Sequence, residues 1–138
     1  MASFEGKVIA ISGGSSGMGL ALAKLLASRG AKLSLCDVVQ ENLDNAINDL
    51  QSKPEQLMVF KCDVRDAKQV SEWISRTVEK FGQLDGAANM AGIIGQKPGS
   101  NFIAEQDEED WDRIIGVNIT VRYHRTRHLR VALFLHNR

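Results

Sequence analysis

The segment Ser-Gly-Gly-Ser-Ser-Gly-Met-Gly at residues 12–19 follows the apolar run 8–11 without a break. Doubly wound α/β folds bind a dinucleotide at a turn of this kind, where a buried strand leads through glycines directly into a helix. Gly13 permits a tight turn, Gly17 lets the backbone approach a pyrophosphate, and Gly19 lets the next helix pack close to the strand. That helix would direct its unpaired N–H groups at the phosphates. The sequence therefore predicts a dinucleotide-binding turn.

Beyond this turn, apolar strand-like segments alternate with amphipathic helical ones. Strands are predicted at residues 7–12, 32–36, 57–62 and 84–90, and helices at 18–29, 42–50, 67–81 and 108–121. Gly30 and Gly82 are placed to end the first and third helices. Strands joined by helical crossovers predict a parallel, doubly wound, Rossmann-like α/β sheet in the order 3-2-1-4. We expect only the N-terminal half of such a fold, with its ligand near the loop at 93–107.

Asp37 lies 18 residues after Gly19, at the predicted carboxyl end of the second strand. A carboxylate there can accept both hydroxyls of an adenosine ribose and repels a 2′-phosphate. Positions 38–40 hold no arginine or lysine for such a phosphate. The pattern favours NAD over NADP, and a strand-end turn or helix cap is the alternative use of Asp37.

Asp63 ends the third predicted strand in the same way. A carboxylate at that position could accept a hydrogen bond from the amino group of adenine. The alternative is an N-cap for the following helix, a role for which Asp66 competes.

Composition narrows the class of protein. At 138 residues and 43% hydrophobic, the chain has room for one domain with a core, and no apolar run approaches the length of a membrane span. The start of the chain does not resemble a signal peptide. Cys36 and Cys62 each end an apolar run, which predicts buried, reduced thiols and a cytoplasmic protein. Two cysteines without a nearby histidine pair predict no metal site.

The formal net charge of zero hides a break at residue 121. Residues 1–121 carry all 17 acidic residues and 12 of the 17 basic ones, whereas residues 122–138 carry five arginines, all three histidines and no acid. We therefore divide the chain into a dinucleotide-binding domain at 1–121 and an atypical basic tail at 122–138. The tail has three open explanations: a surface for nucleic acid or membrane, a natural short variant, or an artefact of the gene model. Of these, nucleic-acid binding is the least favoured, and we expect no membrane partner.

Five segments resemble the short-chain dehydrogenase/reductase family. They are the glycine turn at 12–19, Cys-Asp-Val at 36–38, Cys-Asp-Val at 62–64, Ala-Asn-Met-Ala-Gly at 88–92 and Trp-Asp-Arg-Ile-Ile-Gly-Val-Asn at 111–118. Their order and spacing make the resemblance specific, and it covers residues 5 to about 120. Met90 departs from the family's Asn-Asn-Ala-Gly pattern at its second asparagine.

The resemblance implies the residues that contact the cofactor. They would be Ile11, Ser12, Gly13, Ser15, Gly17, Met18, Gly19, Asp37, Asp63, Val64, Asn89, Ala91 and Gly92. By the same resemblance, Asn118 is the helix asparagine that supports the family's catalytic proton relay. The implied activity is NAD(P)-dependent hydride transfer between an alcohol and a carbonyl of a small molecule.

The family's catalytic serine and Tyr-x-x-x-Lys motif have no counterpart in this sequence. Tyr123 is the single tyrosine, and Arg127 stands where the lysine would be. A tyrosine with an ordinary pKa of ~10 is a poor acid or base near neutral pH without such a cation. We therefore expect a C-terminally truncated chain that is inactive and forms no family-type oligomer. The alternative is a non-catalytic nucleotide-binding or interaction module.

Overall fold

A computed structural model describes residues 3–95 and 107–120 of the chain. The elements are β1 (Val8–Ser12), α1 (Gly17–Ala27), β2 (Lys32–Asp37), α2 (Gln40–Leu50), β3 (Leu57–Lys61), α3 (Ala67–Phe81), β4 (Gly86–Asn89) and α4 (Glu108–Ile115). A π-helical turn at Gly116–Thr120 continues α4. The loop predicted to face the ligand lies largely outside the described residues, as does the basic tail.

The four strands form one parallel sheet in the order β3-β2-β1-β4, as the sequence predicts. Each face of the sheet carries a hydrophobic core, because side chains alternate along a strand. Val8 and Ala10 of β1 pack with Val70 and Trp73 of α3, whereas Ile11 packs with residues of α1 and α2. Because all four strands are parallel, their carboxyl ends meet at one edge of the sheet, beneath the amino ends of the helices.

Both cysteines are buried thiols, as predicted. Cys36 is 0% exposed and Cys62 is 1% exposed, and both belong to the core between the sheet and α3. Their small apolar side chains fill space under the strand ends. Cys62 also joins β3 to β2, because its N–H donates to the carbonyl oxygen of Asp37 at 2.9 Å.

The helix ends follow local capping rules. Asp66 accepts hydrogen bonds from the N–H groups of Lys68 and Gln69 and so caps α3, and Gly82 ends that helix with φ 77°. The regular part of the first helix ends at Ala27, and Gly30 follows in the left-handed conformation with φ 86°. The N–H groups of Gly30 and Ala31 donate to the carbonyl oxygens of Ala27 and Leu26 at 3.0 and 3.1 Å. Gly30 therefore closes the helix, as predicted.

Asp85 ties the opposite end of the sheet together. Its carboxylate accepts the buried N–H of Val8 at 2.8 Å, the ammonium of Lys7 at 2.9 Å and the amide of Gln83 at 2.7 Å. Burial alone would raise the pKa of Asp85. The hydrogen bonds from Val8 and Lys7 outweigh this effect and hold the pKa below its ordinary value.

We expect Asp85→Ala to lower the free energy of unfolding by about 1–3 kcal/mol, because the N–H of Val8 would lose its acceptor inside the protein. Lys7→Ala is the control and should cost less than about 1 kcal/mol, since an exposed ion pair contributes little. Urea unfolding checks both values. Because the native pKa of Asp85 is lowered, the part of the difference that comes from the ionised carboxylate should be full above pH ~4 and be lost as the pH falls through the native pKa. Equal costs for the two variants would contradict this account.

Candidate functional site

A cavity of about 420 Å³ opens at the carboxyl ends of the strands. This volume lies within the range of small-molecule and cofactor sites. Nine of the residues predicted to contact a cofactor line it: Gly13, Gly17, Met18, Gly19, Asp37, Asp63, Val64, Ala91 and Gly92. Sequence reasoning missed eight more lining residues: Ser16, Val38, Cys62, Arg65, Met90, Ile93, Arg113 and Val117. Most of these directly adjoin a predicted residue, so proximity along the chain was the available signal.

The glycine turn is built so tightly that side chains are excluded at two positions. A Cβ on Gly13, whose φ is 62°, would lie 2.7 Å from the Cα of Ala91. A Cβ on Gly19 would lie 2.0 Å from the carbonyl oxygen of Gly13. These glycines let α1 start directly against the turn and let the turn pack on the chain that follows β4. A Cβ on Gly17 would meet nothing within 4 Å, so this part of the turn faces open space.

The amino end of α1 is left without a side-chain cap. Its N-cap residue, Ser16, makes no capping hydrogen bond with its side chain, and the first turn contains no acidic residue. In contrast, Asp66 and Asp107 cap α3 and α4. An uncapped helix start keeps its N–H groups available to an anion, and the positive end of the helix dipole adds to the attraction.

Asp37 is fixed in place by three hydrogen bonds. The hydroxyl of Ser15 donates to Oδ2 at 2.5 Å, and the N–H groups of Val38 and Val39 donate to Oδ1 at 2.8 and 3.3 Å. Ser15 is buried, although it was predicted to contact the cofactor. It acts within the described structure by orienting the carboxylate of Asp37 from the glycine turn. The remaining lone pair of Oδ2 stays available to a ligand hydroxyl.

Asp63 is held by Arg65 and does not cap a helix. Arg65 donates from its backbone N–H to Oδ1 at 2.9 Å and from Nη2 to Oδ2 at 2.6 Å. Its Nε contacts both carboxylate oxygens at 3.0 and 3.1 Å. The side-chain hydrogen bond from Arg65 lowers the pKa of Asp63 despite partial burial, and Asp63 raises the pKa of Arg65 in turn. The pair is therefore ionised at neutral pH.

Arg113, the second arginine that lines the cavity, is also paired. Its guanidinium contacts Asp110 Oδ1 at 2.5 Å, and Nη2 lies 3.4 Å from the carbonyl oxygen of Ile94. Arg113 thus links α4 to the segment after β4. The two cavity arginines in the described part of the chain each face a carboxylate, so neither is a ready partner for a phosphate.

Asn118 lies in the π-helical turn and holds the segment after β4 by both halves of its side-chain amide. Oδ1 accepts the N–H of Ile93 and Nδ2 donates to the carbonyl oxygen of Ile93, both at 2.9 Å. This pair of bonds fixes one wall of the cavity without placing the side chain of Asn118 among its lining residues.

Three other predicted contact residues lie beneath the cavity. Ile11 and Ser12 are fully buried, and Ser12 pairs in register with Asn89 at the ends of β1 and β4. The carbonyl oxygen of Ser12 accepts the N–H of Met90 at 3.1 Å. These residues support the floor of the site.

Comparison with known proteins decides the family. The sequence model described as short chain dehydrogenase matches residues 7–134. The chain belongs to the short-chain dehydrogenase family. The glycine turn, Asp37, Asp63 and Asn118 therefore lie in a short-chain dehydrogenase framework, which is the framework that their sequence pattern predicts.

Individual relatives extend this result. A short-chain dehydrogenase/reductase named aba4 from Botryotinia fuckeliana is 45% identical over 118 residues, which is 85% of this chain and 46% of the relative. A short-chain dehydrogenase/reductase from Burkholderia phymatum, solved in complex with NAD, is 29% identical and superposes with a TM-score of 0.87. The match covers 100% of this chain and 48% of the Burkholderia chain. A variant of actinorhodin polyketide ketoreductase, solved with NADPH, is 27% identical with a TM-score of 0.82. The match covers 96% of this chain and 49% of the ketoreductase chain.

The comparisons establish the cofactor as NAD(P) and the substrates as small molecules for the family. Its solved members include both an NAD and an NADPH complex. The chain spans about half the length of the relatives it matches. Within residues 3–95 and 107–120, no cluster of three or more His, Cys, Asp or Glu side chains is placed to hold a metal ion. No helix in the same ranges is long and apolar enough to cross a membrane.

Proposed function

We propose that the cavity binds NAD in preference to NADP. In this lineage the cavity would be the cofactor site for hydride transfer between an alcohol and a carbonyl of a small molecule in the cytoplasm. These 138 residues lack the family's catalytic serine and Tyr-x-x-x-Lys motif and should be inactive by themselves. The observation that carries the proposal is the close contact of Gly19 with Gly13 beside the open backbone of Gly17. This contact brings an uncapped helix start to the cavity wall.

The residues present fit a dinucleotide in two respects. The tight packing at Gly13 and Gly19 holds the turn against the start of α1 and against Ala91, and the space beside Gly17 is open. The N–H groups at the start of α1 then suit a pyrophosphate, because no side chain competes for them. Asp37, oriented by Ser15, lines the cavity beside the glycine turn at the end of β2, where a ribose diol would donate to its carboxylate.

Electrostatics support NAD over NADP. A 2′-phosphate at the ribose site would face the carboxylate of Asp37, and like charges brought together in a site cost several kcal/mol. Arg65 and Arg113 are already engaged by Asp63 and Asp110, so their charges are offset within the described part of the cavity. NAD, whose ribose presents two hydroxyls, meets no such repulsion.

A bound nicotinamide dinucleotide would supply or accept the hydride. The residues of this chain would bind and orient it. The glycine turn would hold the phosphates, and Asp37 would hold the ribose. Asn118 fixes the segment at Ile93, which forms part of the cavity wall. Titration calorimetry with the full chain tests the proposal. We expect NADH to bind more tightly than NADPH, and tighter binding of NADPH would overturn the assignment.

We expect the 138-residue chain to show no alcohol-dependent formation of NADH above background. Its single tyrosine, Tyr123, lies outside the described residues and is followed at position 127 by arginine in place of the family's lysine. Absorbance at the wavelength of NADH, with a panel of small secondary alcohols, checks this. Tyr123→Phe is the matched variant and should give the same background. A rate that depends on alcohol and is lost in Tyr123→Phe would show that Tyr123 is catalytic.

A further inference from the structure

Arg65 is a charged residue in the wall of the cavity. It lies between β3 and α3, its side chain is 51% exposed, and it lines the same cavity as Asp37 and the glycine turn. Its aliphatic stem reaches the π-helical turn after α4, since a Cβ on Gly116 would lie 3.7 Å from its Cδ. A long cationic side chain normally extends into solvent from such a position, whereas this one lies along a cavity wall.

Asp63 holds the guanidinium of Arg65 in one orientation. Two nitrogens of the guanidinium contact the two carboxylate oxygens, which is the two-point geometry that fixes the plane of an arginine. An arginine fixed in this way has lost its rotamer freedom before any ligand binds. Its planar face is therefore prepared to stack on a flat aromatic ring.

The bonds from Arg65 occupy most of the acceptor sites of Asp63. A carboxylate offers about four lone-pair sites. Three N–H groups of Arg65 occupy most of them: the backbone N–H on Oδ1, one N–H of Nη2 on Oδ2, and the single N–H of Nε, which the two oxygens share. The carboxylate thus has little capacity left to accept the amino group of adenine, which is the contact expected from the sequence.

Val38 supplies an apolar surface in the same cavity. It follows Asp37 directly, lines the cavity and is 56% exposed, which is unusual for a valine beside a buried strand end. A ribose held at Asp37 would place its base next to Val38, between the ends of β2 and β3. A purine at this position would have Val38 and Arg65 as neighbours.

We propose that Arg65, clamped by Asp63, is the stacking wall of the adenine subsite, so that the purine is recognised by its face and not by its amino group. This inference rests on the proposed function, because it needs NAD to bind in the cavity. It has two consequences. Removing the guanidinium plane should weaken binding of any purine dinucleotide, and changing the purine amino group should have little effect.

The test is a set of calorimetric titrations on the full chain with NADH and with its hypoxanthine analogue, which lacks the amino group. Wild type should bind the two within about threefold of each other. Arg65→Ala should weaken both by about tenfold, the size expected for loss of one base-stacking contact. Arg65→Lys keeps the charge but not the plane and should not restore affinity. Arg76→Ala, on the exposed face of α3, is the control and should leave binding unchanged.

Each outcome separates the two proposals. If wild type binds neither dinucleotide, the proposed function fails. If wild type binds NADH and Arg65→Ala binds it equally well, or Arg65→Lys restores full affinity, the stacking wall is wrong and the proposed function stands. Asp63→Asn gives an independent check: stacking predicts a similar loss for both dinucleotides. Loss for NADH alone would show that Asp63 reads the amino group and would overturn the inference.

Discussion

Replacing Asp37 with alanine is expected to relax the preference for NAD over NADP. The variant loses the acceptor of the ribose hydroxyls, so NADH should bind about 10–100-fold more weakly, since hydrogen bonds to charged groups contribute about 1.5–3 kcal/mol each. It also loses the charge that would repel a 2′-phosphate, so NADPH should bind at least about as well as before. The ratio of the two dissociation constants, measured by calorimetry, reports the change.

Asp44→Ala is the matched control for the Asp37 variant. Asp44 is an exposed carboxylate on α2, where it accepts a hydrogen bond from Gln40 at 2.9 Å, and it does not line the cavity. Both variants change the net charge equally, so a long-range charge effect would appear in each. If Asp37→Ala left the ratio of NADH to NADPH binding unchanged, the role of Asp37 in selectivity would be refuted.

Gly19→Ala is expected to disrupt both the fold and the binding of NADH. A Cβ at this position would overlap the carbonyl oxygen of Gly13, because the two atoms would be 2.0 Å apart. Relief requires that α1 move away from the turn. Forcing atoms into a packed region costs about 1–3 kcal/mol, and more where backbone must shift. We expect at least this loss in the free energy of unfolding and a loss of at least about tenfold in NADH affinity.

Gly86→Ala is the control for Gly19→Ala. It introduces the same methyl group in β4, but the nearest heavy atom is the flexible end of Ile9 at 3.2 Å. Urea unfolding should show a smaller cost, and calorimetry should show NADH binding close to wild type. An unfolding free energy for Gly19→Ala equal to that of Gly86→Ala would mean that the tight turn is not needed.

The backbone architecture could be predicted because it depends on local signals. Apolar strands with glycine stops and amphipathic helices predicted the order β3-β2-β1-β4, and α3 has the predicted bounds, Ala67–Phe81. The acidic cap at Asp66 follows from its own neighbours in the chain. The last helix was predicted only approximately. Its regular part ends at Ile115, and the π-helical turn that carries Asn118 has no clear sequence signal.

The side-chain partners in the site could not be predicted, because they depend on contacts between distant segments. The bond from Ser15 to Asp37 joins the glycine turn to β2, and the bonds from Asn118 to Ile93 join α4 to the segment after β4. The pairing of Arg65 with Asp63 is local, and an acidic residue two positions before an arginine gave a signal that sequence reasoning did not use. The proposed stacking of a purine on Arg65 rests on this pair.

Mapping of NADH onto the full chain by amide chemical-shift perturbation tests the central claim most directly. Saturating NADH is expected to change the chemical shifts of the amides that border the cavity. These are the amides of the glycine turn at 13–19, of Asp37 and Val38, and of the segments 63–65 and 90–93. Amides around Lys24 and Asp49, which border a separate shallow polar pocket, should not move. Shifts confined to that pocket, or no shifts in a folded chain at millimolar NADH, would contradict the account.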